Sequence, residues 1–440
     1  MRTKYLIIGN SAGGIGAAEA IRQVDNEGAV TIVSEEPYPA YSRPLISKYL
    51  AGERTLEEIL FRPLAFYAQN NILYLPSKKV TRLDLDHQIA HLSDKEQITW
   101  EKLLLAVGGR PVFPEMKGSD KRGVFTFINL DDAMAVDRFL DNTKKAVVIG
   151  GGLIGISVTE ALVKRGVVVT VVEMKERILN TILDQQASVM AEEVLKQGGV
   201  EIIAGHTVVK ISGRKTVKEI ILDNGAAIPC DLVVVAIGVS PRSELALDAK
   251  LEINGGIVVD HHMATKHPYV YACGDVSEAY DFVYGENRLT PIWPNAYVGG
   301  RIAGFNMAGI TAEYPGGTAM NSLNYFGIDI VSAGMPTAPN DDGYETISKQ
   351  ADNIYQKVIL KNNLVMGMIC VGNIEKSGII FNLMKERVNV ESFKQSLLVD
   401  DFGLAFLPRA LWQDRLEVPP ELILHRALPI QTEEKTFIGE

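Results

Sequence analysis

The chain has 440 residues, room for about three domains at roughly 150 residues each, with 44 Lys and Arg against 54 Asp and Glu and a net charge of −10. An acid surplus without a long basic run argues against nucleic acid or anionic membrane as the main partner. A content of 47% hydrophobic and 22% charged residues excludes disorder over most of the length.

Tyr5–Ile8 reads as a short strand running into Gly9-Asn10-Ser11-Ala12-Gly13-Gly14. A helix through Ala17, Ala18, Ala20 and Ile21 and a second strand over residues 29–33 follow. Arg2 and Lys4 precede the apolar start, but Asn10 and Ser11 interrupt it, so no signal peptide is expected. A strand over 103–108 ends in glycine. The unit then recurs: residues 146–149 lead into Gly150-Gly151-Gly152-Leu153-Ile154-Gly155, a helix through Leu162 and a strand over 167–172 that closes on Glu173. A further strand, 232–238, again ends in glycine, and one over 270–273 ends in Gly274-Asp275. The longest other apolar run, 146–158, falls short of the ~20 residues a bilayer span needs. Gly and Pro cluster over 311–320 and mark a boundary. Beyond it a β-rich stretch (323–332, 355–360, 364–371) precedes a helix near 378–386, and residues 430–440 read as a loose polar tail. Cys230, Cys273 and Cys370 have no close CxxC partner, so neither a disulfide scaffold nor a cysteine zinc site is expected, and a reducing cytoplasm is the default. No metal site is expected among the scattered histidines.

Two strand–Gly-loop–helix–strand units roughly 140 residues apart form an internal βαβ repeat. In such a unit the first glycine makes the tight turn, the second admits a pyrophosphate, and the third packs helix on strand, while the helix N-terminus supplies partial positive charge. Gly150, Gly152 and Gly155 fit all three places. Glu173 stands where a carboxylate accepts from both ribose hydroxyls and repels a 2′-phosphate, which favours NADH; Lys175 and Arg177 close behind moderate that preference. In the first loop Gly9 and Gly14 hold the outer places and Ser11 the middle one, with Gly13 beside them. Glu35 or Glu36 supplies the acid after the second strand. Two units imply two dinucleotides.

At this point the sequence resembles the two-dinucleotide flavoproteins of the pyridine nucleotide–disulfide oxidoreductase superfamily, from Lys4 to about Gly309. The segments that carry the resemblance are Leu104-Leu105-Ala106-Val107-Gly108-Gly109-Arg110-Pro111, Val235-Ala236-Ile237-Gly238-Val239-Ser240-Pro241-Arg242 and Tyr271-Ala272-Cys273-Gly274-Asp275-Val276. The resemblance implies an α/β fold of two nested Rossmann-like domains plus a C-terminal α/β interface domain. FAD would use residues 1–112 and 245–312, NAD(H) residues 113–244, and the interface domain would be 313–440. It further implies that the first loop holds FAD and the second, with Ile154, holds NAD(H). Asp275 would meet the FAD ribitol and phosphates, and Val80 the adenine through its backbone. Ala106, Gly108, Arg110 and Gly238 are carried over with their motifs. Trp293-Pro294-Asn295-Ala296 would open a helix facing the flavin pyrimidine, where reduced flavin is negative.

The branch is decided by Arg43-Pro44-Leu45-Ile46-Ser47-Lys48. This region holds no cysteine, unlike disulfide reductases, and is similar to NADH:rubredoxin and ferredoxin reductases and to the flavin part of nitrite reductases. By that resemblance Arg43 contacts FAD, and Lys48 sits beside flavin N5, where an ammonium stabilises the reduced ring. Relatives pair this Lys with a Glu at the position of Ser157; Glu160, one turn on, is the candidate substitute. Trp293 is a candidate nicotinamide wall or a plain core residue, and Cys273 reads as packing. Lys385, Arg387 and Lys394 are the nearest approach to a basic surface for an acidic carrier protein. The implied reaction is hydride transfer from NADH to FAD, followed by one-electron exchange with a ferredoxin- or rubredoxin-type protein, in a homodimer or a complex with a redox enzyme. The alternatives are a peroxide-forming NADH oxidase or small-molecule disulfide-type reductase, and a flavin-bearing interaction subunit.

Overall fold

The computed structural model describes residues 1–340 and 343–409. Five parallel strands form the first sheet in the order Val270–Ala272, Lys102–Leu105, Tyr5–Ile8, Val30–Val33, Ile72–Leu75. The near-continuous Leu, Ile and Val content of the three inner strands follows from burial on both faces, as parallel sheets require. A second parallel sheet repeats the plan with Glu201–Ala204, Val168–Glu173, Lys145–Ile149, Leu232–Val235 and Val124–Thr126. In each, the strand before the Gly loop lies centrally, at the point where strand order reverses and ligands bind in open α/β sheets. The outermost strand of the first sheet comes from residues 270–272, after the whole second sheet, so the second unit is an insertion in the first.

Both motif strands end earlier than their apolar runs suggest. The strands stop at Leu105 and Val235, and the chain then crosses between the units. Gly109–Pro111 pairs antiparallel with Val239–Pro241, flanked by Val112 N–H to Gly238 O (2.9 Å) and Arg242 N–H to Gly108 O (3.0 Å). The two similar motifs are therefore one two-stranded hinge ribbon. The helix after the first loop, Ala12–Val24, lies against the helix Trp293–Met307 almost backbone to backbone: a Cβ on Gly300 would stand 2.0 Å from Gly13 O, and one on Gly304 would stand 2.4 Å from Ala17 O.

Past the 311–320 boundary, five antiparallel strands form a third sheet in the order Met320–Tyr325, Ile328–Gly334, Leu364–Val371, Ile354–Lys361, Tyr344–Ala351. The stretch expected as one run over 323–332 is a hairpin. Its two-residue turn puts Phe326 at φ 50° and Gly327 at φ 83°, the doubly left-handed form that matches strand twist. The edge strand Tyr344–Ala351 carries mostly polar, exposed side chains, which hid it from an apolar-run reading. One face of this sheet is covered by the helix Ser377–Lys385 and by Val390, Phe393, Leu397, Leu398, Phe402 and Leu407, so the extension up to residue 409 completes a core. The other face sends Tyr325, Ile330, Tyr355, Ile369 and Val371 into a cluster shared with the second unit. The expected polar tail, 430–440, lies outside the described residues. Among the described residues no helix is long and apolar enough to cross a membrane.

Candidate functional site

Both Gly loops open into one continuous cleft of about 2460 Å³, well above the ~300–1,000 Å³ of a typical small-ligand pocket. Gly9 (φ 119°) and Gly150 (φ 109°) make their turns against the neighbouring strands, where a Cβ would meet Ala106 O at 2.1 Å and Ala236 O at 2.4 Å. Gly14 and Gly155 lie out of the cleft; a Cβ there would meet the carbonyls of Gly9 (2.0 Å) and Gly150 (1.9 Å). A Cβ on Gly152 would meet nothing within 4 Å: the middle place is open towards the cleft. The helices Ala12–Val24 and Leu153–Lys164 begin at Ser11 and Gly152 without a side-chain cap, and Trp293–Met307 begins at Ile292 in the same way. Three helix N-termini thus present uncapped amides at one cleft, a fit to anionic groups. Trp293 also lines it, and its buried indole N–H has no acceptor in the protein.

The two acid positions differ. Gly9 N–H bonds Val33 O (2.9 Å) and Gly150 N–H bonds Val172 O (2.8 Å), so Ser34, not Glu35, is the counterpart of Glu173. Glu173 is buried and accepts from Gly151 N–H (2.6 Å) and Lys175 N–H (2.8 Å). Glu35 is exposed and pairs with Lys79 (3.1 Å) and Arg242 (2.8 Å). Partial burial opposes the Glu35 charge, but the two cations hold its carboxyl below the usual range. Glu36 is tied to Arg43 and to Tyr41 Oη (2.6 Å). Both acids line the cleft, and so do Ser11, Gly13, Val80, Ala106, Gly108, Arg110, Ile154, Gly238, Asp275 and Ala296. Arg110 is engaged by Glu244. Burial raises the Asp275 carboxyl and nearby Arg43 opposes the rise. Asn295, like Gly14 and Gly155, lies outside the cleft lining, and its amide donates to Thr318 O (3.2 Å) in the boundary segment. Helical phase turns Ala296 inward and its neighbour outward.

Lys48 sits on the short helix Ile46–Leu50, which the first unit lends to the second: Arg165 Nη1 donates to Leu50 O (2.8 Å). Its ammonium lies 3.5 Å from Glu160 and 3.2 Å from Glu53, and Lys164 bridges the same two carboxylates at 3.0 and 2.6 Å. The result is a ring of alternating charge, closed on its buried side by Glu160, which is 5% exposed. Ser157, at the position where the resemblance expects a Glu, instead meets Tyr325 Oη at 2.7 Å. Sequence reasoning missed Tyr325, Glu53 and Lys164; only the i, i+4 spacing of Glu160 and Lys164 was a readable signal.

Cys273 lines the cleft beneath Gly13, and burial pushes its thiol up to about 12, so it is a packing thiol at neutral pH. Cys230 and Cys370 are likewise buried and pushed up to about 12. The basic surface expected at Lys385, Arg387 and Lys394 is largely spent: Lys394 pairs with Glu345 (2.5 Å) and Arg387 donates to Phe282 O (2.7 Å). Among the described residues no His, Cys, Asp and Glu cluster has the form of a metal site.

Comparison with known proteins agrees with this geometry. Residues 3–300 match the family described as pyridine nucleotide-disulphide oxidoreductase, and residues 320–388 match the rubredoxin NAD+ reductase C-terminal domain. Subunit epsilon of the NADH-dependent phenylglyoxylate dehydrogenase of Aromatoleum evansii is 31% identical over 91% of this chain and 96% of its own. Rubredoxin-NAD(+) reductase of Pseudomonas putida is 31% identical over 70% of this chain and 81% of its own. The putidaredoxin reductase of a covalent complex with putidaredoxin superposes with a TM-score of 0.84 at 25% identity, covering 94% of this chain and 99% of that one. The chain spans about half the length of another relative, nitrite reductase [NAD(P)H] of Bacillus subtilis, at 49%.

Proposed function

From the premise that the chain belongs to the pyridine nucleotide-disulphide oxidoreductase family, whose members use FAD and NAD(H), we propose that it exchanges electrons between NADH and a one-electron iron or iron–sulfur protein of the ferredoxin or rubredoxin type. The observation that carries this reading is the single cleft joining both Gly loops, with no reactive thiol among the described residues of its wall. A disulfide substrate needs such a thiol; an outer-sphere acceptor does not. The names of the rubredoxin and putidaredoxin reductase relatives support the same acceptor class.

We assign residues 1–112 and 245–312 to FAD, 113–244 to NAD(H) and 313–440 to the interface domain. When bound, FAD would supply the chemistry of accepting a hydride from the nicotinamide and giving up electrons singly. The protein's own part is position and charge. The amides at Ser11–Gly14 and Gly152–Gly155 bind phosphates. Glu173, immobilised by two main-chain amides, accepts from ribose hydroxyls and selects against a 2′-phosphate. Asp275 and Arg43 hold opposite charge at the FAD side, and Trp293, stacked on Tyr297 (6.1 Å, 7°), walls the cleft against water. Lys48 Nζ, held between Glu53 and Glu160, would bring a positive charge to the flavin and tune its potential.

The test is anaerobic: reduce the FAD-loaded protein with NADH, then mix it with oxidised ferredoxin and, separately, rubredoxin. Reoxidation at the rate of turnover by either is expected. Reoxidation by air alone overturns the reading in favour of a peroxide-forming oxidase. The epsilon-subunit relative supports a second form of the same reading, in which the acceptor is a subunit of a larger dehydrogenase. Slow turnover with free carriers, together with a stable complex on gel filtration, would select it.

A further inference from the structure

The C-terminal hairpin turn reaches further into the second unit than a cover needs to. Phe326 has φ 50°, a conformation costly for a bulky residue and one that Asn or Gly fills more easily. Its ring packs on Gly198, where an added Cβ would stand 2.5 Å from Phe326 Cδ1, and its main-chain N–H donates to Glu160 Oε1 (3.1 Å). The preceding residue, Tyr325, is buried, shares a 2.7 Å hydrogen bond with Ser157 and donates to Leu153 O at 3.4 Å, on the first turns of the helix after the second Gly loop. A local choice that costs backbone energy yet delivers a donor to a buried carboxylate is the pattern of strain retained for a site. Glu160 is the member of the charge ring with the least access to water, so the atoms that orient it decide where the Lys48 ammonium rests.

We propose that Tyr325 and Phe326 are positioning residues of the reaction: the C-terminal turn holds the Glu160 carboxylate against Lys48 and steadies the helix that begins at the second Gly loop. The inference rests on the reading of Lys48 as the charge beside the flavin. It makes the C-terminal sheet part of the redox site, acting through Glu160 and never touching the reacting atoms.

Phe326→Asn is the sharpest variant, because Asn-Gly is the preferred pair for this turn: it keeps the N–H and favours the hairpin while removing the ring that seats it. Tyr325→Phe removes only the hydroxyl. In the FAD-loaded protein each should slow the limiting rate of NADH-driven flavin bleaching about fivefold, one hydrogen bond's worth. The NADH concentration for half-maximal rate should stay within about twofold. Each should also raise the flavin midpoint potential, measured by dye equilibration without NADH, in the direction that Glu160→Gln raises it, since a less neutralised ammonium favours the reduced ring. In a Glu160→Gln background both effects should vanish. An unchanged rate and potential, or losses that add in full to those of Glu160→Gln, would overturn the proposal. If the unaltered protein is not bleached by NADH, the functional reading fails instead, and the dye-measured potentials still decide this one.

Discussion

At both Gly loops the first glycine stands at positive φ against a neighbouring carbonyl, and the third is excluded from carrying a side chain by the carbonyl of the first. The ligand-facing places are where the two units part. The first has Ser11 in the middle, Ser34 at the strand end, and acids that are already neutralised by Lys79, Arg242 and Arg43. The second has Gly152 facing open space and Glu173 anchored by amides, with its outer oxygen lone pairs still available. The comparison separates backbone necessity, which both copies share, from recognition, which each copy sets for itself. A residue that collides with main chain has no alternative, whereas one that faces a cavity is free to vary with what the cavity holds.

The largest effects should come from breaking the shared part. Gly155→Ala drives a methyl into Gly150 O and should cost about 3 kcal/mol, or roughly 100-fold in NADH affinity, while FAD content on purification stays intact. Gly14→Ala should do the reverse and leave a colourless protein, so absorbance and NADH titration read the two loops separately. If either variant lost both nucleotides, the independence of the units would be wrong.

Recognition comes next. Glu173→Ala should raise the NADH concentration for half-maximal reduction roughly 10- to 100-fold, the worth of charged hydrogen bonds, with NADPH affected far less; steady-state kinetics with both nucleotides measures it. Equal losses for both would mean that Glu173 serves only its two amides.

A third prediction concerns the first unit's buried acid. A carboxyl whose folded-state value lies above its unfolded value contributes stability below the ordinary aspartate value of about 4 and loses it as pH rises through the raised value. Asp275 is in this class, raised by burial against the pull of Arg43. In FAD-free protein, Asp275→Asn should therefore raise Tm at pH 7, and the gain should shrink towards pH 4, while FAD retention at neutral pH weakens. A pH-independent difference in Tm would remove the titration from the account. The smallest effect belongs to the surface: Lys394→Ala should cost about 0.5 kcal/mol or less in chemical denaturation and leave carrier reduction unchanged, because its charge is already paired with Glu345.

Much of this site was readable along the chain. The Gly loops and the strand-end acid Glu173 lie within local βα units, where strand period, turn chemistry and helix start are set by near neighbours, whereas Asp275 and the Arg43-to-Lys48 segment were singled out by their resemblance to a family. The hairpin at Phe326-Gly327 was not, because an apolar run on both sides of a bulky turn residue looks like one strand, and the polar edge strand Tyr344–Ala351 offered no apolar run at all. Asn295 shows the same limit at the scale of one residue, since the motif names the helix but not the phase at which each side chain leaves it.

By itself, then, the sequence determined two strand–Gly-loop–helix–strand units, their order along the chain and the acid that closes the second unit's strand, because each depends on contacts within a few tens of residues. Tertiary structure alone decided that the two cross-chain motifs are one ribbon, that three uncapped helices face one cleft, and that Lys48 meets Glu160 across 112 positions while Phe326 meets it across 166. Contacts of that separation exist only after two sheets have packed, when burying the shared apolar cluster outweighs the entropy of closing such long loops.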